Sequence, residues 1–397
     1  MSPAERAREL PANPIQAIAA AARRRRALGR PVVDLSVGEP DFAPPPGVAE
    51  AAASPEARRG AGYPPPEGIV PLRLALLRGL AAEGLGYRSR ELLVTAGASG
   101  ATSAAFRALL APGEGVLVPT PAYGAYAAQV ALAGGVAVPV PTRRDGGWRL
   151  TPESLAAAAA ASPGARLLVL NDPANPTGEV YLPEELDALA DAIARLGLFV
   201  VCDEVYRDFV YEGPPAASLL ARAPSLRGRA LVVRSFSKSY GMTGWRVGFA
   251  AGPAEVIAAM LRVQQISFIA PAAPSQWAAL AALEAGEAWV RVRVAEYAVR
   301  RRWVRERLGS LPGITVGGGR GAFFAFPEIS APRAPGGSAE AFCRRLLVEH
   351  DLAVVPGAAF GAPAALRLSF AAEPAALAEG LERLATALEE VRDGLAA

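Results

Sequence analysis

Ser235-Phe236-Ser237-Lys238-Ser239-Tyr240-Gly241-Met242-Thr243-Gly244-Trp245-Arg246-Val247-Gly248-Phe249 lies between two apolar runs, Ala230 to Val233 and Val247 to Ala251. One lysine stands among small hydroxyl residues, and an arginine follows eight positions later. That layout suits a lysine that forms an imine beside a bound phosphate. Lysine is the side chain whose pKa moves most readily under burial and neighbouring charge. The serines and Arg246 can hold an anion by hydrogen bonds and charge. The flanking runs are apolar without alternation, as in strands covered on both faces.

Five more such runs lie upstream: Leu92 to Thr95, Gly115 to Val118, Val136 to Val140, Arg166 to Leu170 and Leu198 to Cys202. Helical segments with clear punctuation separate them. Thr151-Pro152 opens one; Leu182-Pro183-Glu184 opens another that Gly197 closes. Seven strands with helical crossovers predict an α/β fold built on one large, mainly parallel sheet. Residues 1 to 30 read as an arm with a helix between Asn13-Pro14 and Gly29, followed by a strand over Val32 to Val37. After Pro253 the character changes. A long helical region runs from about Trp277 to Leu308, short strands recur near 313–316, 321–326, 353–355 and 366–370, and a helix over 374–391 ends the chain. This predicts a smaller α+β domain. Gly317-Gly318-Gly319 reads as a flexible loop, because no strand-turn-helix phosphate motif surrounds it.

Composition narrows the function. The chain has 397 residues, 52% of them hydrophobic, so core material is ample. A net charge of +3 argues against nucleic acid as a partner. Arg23 to Arg26 reads as the solvated end of an alanine-rich helix. Two distant cysteines make no disulfide framework, and a reducing cytoplasm is expected. Charges among the first ten residues exclude an export segment, and Ser162-Pro163-Gly164 with Arg166 breaks the longest apolar tract, so no membrane is expected. A single histidine, His350, leaves little room for a metal site, and none is assigned.

The string around Lys238 resembles the pyridoxal-phosphate lysine signature of the aspartate aminotransferase family, S-F-S-K-x-x-x-M-x-G-W-R-x-G. Other segments follow in the family's order: Gly38-Glu39-Pro40-Asp41-Phe42, Tyr63 in Y-x-x-x-x-G, Gly97-Ala98-Ser99-Gly100, Asn175-Pro176-Thr177-Gly178, Asp203-Glu204-Val205-Tyr206 and Leu366-Arg367-Leu368-Ser369-Phe370. The resemblance spans about residues 32 to 370. It implies a fold type I enzyme with an arm and part of the small domain over 1–45, a large cofactor domain over 46–290 and a small domain over 291–397. It implies pyridoxal 5'-phosphate, carried as an imine on Lys238. Ser235 and Arg246 would grip the phosphate, together with backbone N–H groups of Ala98 and Ser99 at a helix start. Gly100 departs from the family, which usually has an acid or amide there.

The same resemblance gives the cofactor ring its neighbours. Asp203 would pair with the ring nitrogen, since an acid after a buried strand is costly unless paired. Asn175 and Tyr206 would reach the phenolic oxygen, and Tyr123 would stack on the ring. Arg367 would take the substrate α-carboxylate with its fork, and Gly38 would face it through its backbone. Tyr63 would reach the phosphate of a neighbouring subunit, which implies a homodimer. The implied reaction is transfer of an amino group between an α-amino acid and a 2-oxo acid; the scaffold also serves elimination, cyclisation and oxidation. In aspartate-specific bacterial members the position matching Ser99 can be a lysine. Here serine stands there, and the wall the partner would supply reads Ile266-Ser267-Phe268-Ile269-Ala270-Pro271. A neutral or apolar amino donor is therefore expected, unless Arg320 swings in to supply a cation. A rival reading, a hydrolase triad of Ser99, an acid and His350, lacks the second glycine of G-x-S-x-G.

Overall fold

A computed structural model describes residues 13–59, 62–330 and 337–393; the start of the predicted arm lies outside them. The helix Pro14–Ala27 begins where expected, its first N–H groups capped by the Asn13 side chain. Strand β1 (Val33–Asp34) is shorter than the predicted run over 32–37. The Asp34 carboxylate accepts from both the N–H and the hydroxyl of Ser36, at 3.0 and 2.6 Å. The Ser36 N–H is thereby taken locally, and backbone pairing ends with Leu35, whose N–H donates to the Ala353 carbonyl at 2.9 Å.

All seven predicted strands form one sheet: β2 (Leu92–Thr95), β3 (Gly115–Thr120), β4 (Val136–Pro141), β5 (Ala165–Asn171), β6 (Phe199–Asp203), β7 (Ala230–Ser235) and β8 (Gly248–Ala251). Their order is β2-β8-β7-β6-β5-β3-β4. Strand β8 runs antiparallel to both neighbours, and every other pairing is parallel. Alternate residues feed different cores, which explains the uninterrupted apolar runs. Leu168, Val200, Cys202 and Val232 pack on one face. Leu167, Val169, Val201 and Leu231 pack on the other.

The remaining strands are short: β9 (Ile314–Thr315), β10 (Phe324–Ala325), β11 (Glu328–Ile329), β12 (Leu352–Ala353), β13 (Val355–Pro356) and β14 (Leu366–Ser369). Strand β1 pairs in parallel with β12, which brings Val33 and Leu35 into a third core with Phe323, Leu352, Leu366 and Leu381. Helix Ala273–Gly309 leads from the sheet to this core and breaks at Gly286, whose φ of 71° only glycine adopts without strain. The triglycine loop is held rather than loose. Arg301 and Arg305 donate to its carbonyls, and the Gly319 N–H donates to Glu179 at 2.8 Å. Among the described residues no helix is long and apolar enough to cross a membrane. Cys202 and Cys343 are both buried and unpaired.

Candidate active site

The chemistry-bearing residues converge at one edge of the sheet. Asn171, Asp203 and Ser235 end β5, β6 and β7, and the helix Gly97–Leu109 begins just past the end of β2. Ligands bind at this carboxyl edge in open α/β sheets. A cavity of about 340 Å³ opens there, and every site residue predicted from the sequence lines it except Tyr63. Tyr63 points outward and is 84% exposed.

Ser235 caps the four-residue turn Phe236–Ser239, and this turn presents Lys238 to the cavity. The Lys238 ammonium donates to the Gly38 carbonyl at 2.6 Å. Burial pushes its pKa down to about 8; Arg367 and Arg246 add to the effect, while Glu39 and Asp203 oppose it. Gly38 has no room for a side chain, since a Cβ would stand 2.7 Å from the Phe324 ring.

The helix Gly97–Leu109 has no side-chain cap, so its first N–H groups are left for a ligand. The Arg246 guanidinium lies against this helix start, close enough that a Cβ on Gly97 would fall 2.8 Å from Nη2. Arg246 itself has a φ of 54°, unusual for a residue with a Cβ. Its Nη1 donates to the Thr243 carbonyl, and Thr243 hydrogen-bonds Glu39. The backbone approach of helix to sheet depends on Gly248, where a Cβ would lie 2.8 Å from Gly97 C and 3.0 Å from Ala98 N.

Asp203 is buried, and burial raises its pKa to about 6 despite hydrogen bonds that favour the charged form. Val205 N–H donates to one oxygen at 3.2 Å and the Tyr126 hydroxyl to the other at 2.7 Å. No sequence motif singles out Tyr126. Tyr206 is buried, with its ring centre 5.9 Å from Lys238 Nζ. Tyr123 meets Tyr126 edge-on.

Arg367 is 1% exposed. Its Nη1 donates to Asn175 Oδ1 at 3.0 Å and its Nη2 to the Ser36 carbonyl at 2.5 Å, while Nε has no partner. Phe324 and Phe360 lie against the guanidinium at 4.4 and 5.0 Å. Burial lowers its pKa to about 10.

Arg320 does not reach the cavity. It donates to the carbonyls of Glu212 and Val180 and is absent from the cavity lining. The Ile266–Pro271 segment does not line the cavity either, and Ile266 and Phe268 are 88% and 44% exposed. The triad reading finds no support in the fold: Ser99 lines the cavity, whereas His350 does not and lies beside Glu390. Glu349, His350 and Glu390 form the one cluster of potential metal ligands among the described residues, and Arg345 already pairs with both carboxylates. Ser237 and Thr243 line the cavity and were not anticipated individually.

The donor set matches the chemistry of a pyridoxal phosphate cofactor. An uncapped helix start beside a guanidinium suits the phosphate, a buried carboxylate suits a protonated ring nitrogen, and a lysine amine in the same cavity suits the aldehyde. The group fits.

A profile of the family described as aminotransferase class I and II matches residues 30–384. The aspartate aminotransferase of Geobacillus stearothermophilus is 35% identical over 97% of this chain and 98% of its own length. A probable aspartate/prephenate aminotransferase of Aquifex aeolicus is 36% identical over 98% and 99%. Among solved structures, the Thermus thermophilus aspartate aminotransferase with maleate superimposes with a TM-score of 0.91 at 37% identity, over 98% of this chain and all of that one.

Proposed function

Because the chain belongs to the class I and II aminotransferase family, we propose that it uses pyridoxal 5'-phosphate attached to Lys238 and prefers a neutral or apolar amino donor. The observation that carries the cofactor reading is one cavity holding Lys238, the buried Asp203 carboxylate and the uncapped helix start at Gly97. Ala98, Ser99, Ser235 and Arg246 would hold the phosphate, Asp203 the ring nitrogen, Asn175 and Tyr206 the phenolic oxygen, and Tyr123 the ring face. When bound, the cofactor would supply an aldehyde for the substrate nitrogen and an electron-poor ring that makes the α-carbon proton more acidic.

The chain's own groups do the rest. The Arg367 fork takes the α-carboxylate and fixes the α-carbon's orientation. The Lys238 amine, partly neutral near pH 8, would take the proton from the substrate α-carbon and hold it. The Gly38 carbonyl, 2.6 Å from Nζ, gives this amine a fixed seat when it is free. Asn13, Ile15 and Gln16 from the N-terminal helix also line the cavity.

The donor preference rests on charge. Lys238, Arg246 and Arg367 are the only cations lining the cavity among the described residues. Each has a task in this scheme: Lys238 serves the aldehyde, Arg246 the phosphate and Arg367 the α-carboxylate. Ile15 and Val37 add apolar surface. A distal carboxylate left without a partner would cost several kcal/mol, on the order of 2–7 for burying a polar group unpaired. The named relatives are aspartate aminotransferases, so aspartate is the direct competitor. With leucine, phenylalanine or alanine, kcat/KM should exceed that with aspartate by at least about tenfold, the equivalent of 1.4 kcal/mol; an aspartate optimum overturns the preference. In a single turnover, the amino acid alone should release one 2-oxo acid per site. Ammonia release or oxygen uptake would point to elimination or oxidation instead.

The same reading includes a homodimer. Tyr63, Val70, Leu74, Ile266 and Phe268 are exposed large apolar side chains of the kind a subunit contact would cover. The Gln264 amide donates to the Pro66 and Val94 carbonyls, which ties the Ile266–Phe268 end of its helix to the Tyr63 segment. Mixing inactive Tyr63→Ala and Lys238→Ala proteins should restore activity, because one hybrid site then holds both side chains. A fully active monomer would exclude shared sites.

A further inference from the structure

Tyr126 is 3% exposed, and its hydroxyl spends its only hydrogen on Asp203 Oδ2, at 2.7 Å. The other oxygen accepts from Val205 N–H at 3.2 Å. Each carboxylate oxygen is thus pinned once from the protein side, from two different elements. The helix Ala125–Leu132 carries Tyr126, and the turn after β6 carries Val205. Tyr126 and Asp203 both line the cavity.

We propose that Tyr126 is a positioning residue, which orients the Asp203 carboxylate and keeps it ionised for the cofactor's ring nitrogen. This role rests on the pyridoxal phosphate reading of the cavity. A neutral hydroxyl does this without adding a charge that would compete with a pyridinium. Hydrogen bonding to the charged form opposes the burial that otherwise favours protonated Asp203. The other groups facing Asp203 do not substitute for it. Glu204 disfavours its charge, Lys238 favours it, and Tyr123, Tyr206 and Cys202 sense its field without donating to it.

Without the hydroxyl, Asp203 holds its proton to higher pH, so a ligand that needs the carboxylate suffers most on the acidic side. The test is an absorbance titration of apoprotein with pyridoxal 5'-phosphate at pH 6.5 and 8.5. The proteins are the unmodified chain, Tyr126→Phe, Asp203→Asn and the double variant. Tyr126→Phe should raise Kd about tenfold at pH 6.5, as expected for one bond to a charged group, and less at pH 8.5. In the Asp203→Asn background it should change Kd little, since the group it serves is gone. Equal Kd values for the unmodified chain and Tyr126→Phe at both pH values would overturn the proposal. So would an undiminished loss in the Asp203→Asn background, which marks a packing role. Absence of saturable binding by the unmodified chain would overturn the cofactor reading itself and this proposal with it.

Discussion

Lys238→Ala should abolish amino transfer, with kcat reduced at least about 10³-fold. Losing a positioned acid–base group alone costs 10²–10⁴-fold, and this variant also loses the covalent anchor. The turn Phe236–Ser239 keeps its Ser235 cap, so the fold should survive the change. Borohydride should attach the cofactor to Lys238 in the unmodified protein and to nothing in the variant. The unmodified apoprotein should also bond the cofactor aldehyde faster as pH rises. Only the neutral amine attacks, and burial sets its pKa near 8. About a tenth of the lysine is then neutral at pH 7 and about nine tenths at pH 9. A label on another lysine, or a rate flat across pH 7 to 9, would disprove the assignment.

Arg367→Ala should lower kcat/KM for amino acids by about 10²–10³-fold, because truncating one partner of a buried charge pair costs 2–5 kcal/mol and 1.4 kcal/mol is tenfold. The guanidinium is held by Asn175 and Ser36 and flanked by two phenylalanines, so it is preorganised rather than recruited. Its partnerless Nε shows that the protein alone does not saturate it. Lysine at this position should rescue poorly, since a point charge cannot reproduce the fork. Amines without a carboxylate should lose far less than amino acids do. A variant within about threefold of the unmodified enzyme on amino acids would mean that the carboxylate binds elsewhere; the threshold is well below the tenfold worth 1.4 kcal/mol.

The large sheet was legible because its strands are buried on both faces, and burial writes itself as unbroken apolar runs such as Leu167 to Leu170. Asn175, Asp203 and Lys238 were legible because each sits in a short string just past such a run. Contacts settled by distant backbone were not. Arg320 is tied to two carbonyls, those of Glu212 and Val180, and a carbonyl carries no sequence signature. Strand β1 looks longer than it is because the Asp34 carboxylate takes the Ser36 N–H that a neighbouring strand would otherwise need. Tyr126 and Asp203 are 77 residues apart, and no local pattern links a helical tyrosine to a strand-end acid. Gly286 reads as an ordinary helical glycine until the chain has to turn there.

The reversed direction of β8 bears on how the site assembles. Because β8 runs against β7, its first residue lies at the same edge as the last residue of β7, and Ser235 faces Gly248 across the pair. A short loop therefore brings Lys238 and Arg246 to one edge without a crossover helix. The Ser235–Val247 contact spans 12 positions, whereas Arg367–Asn175 spans 192. Closing the longer loop costs roughly 2.5 kcal/mol more by (3/2)RT ln n scaling. The Lys238 and Arg246 side of the cavity thus closes cheaply and locally, while the Arg367 side depends on a contact between distant parts of the chain.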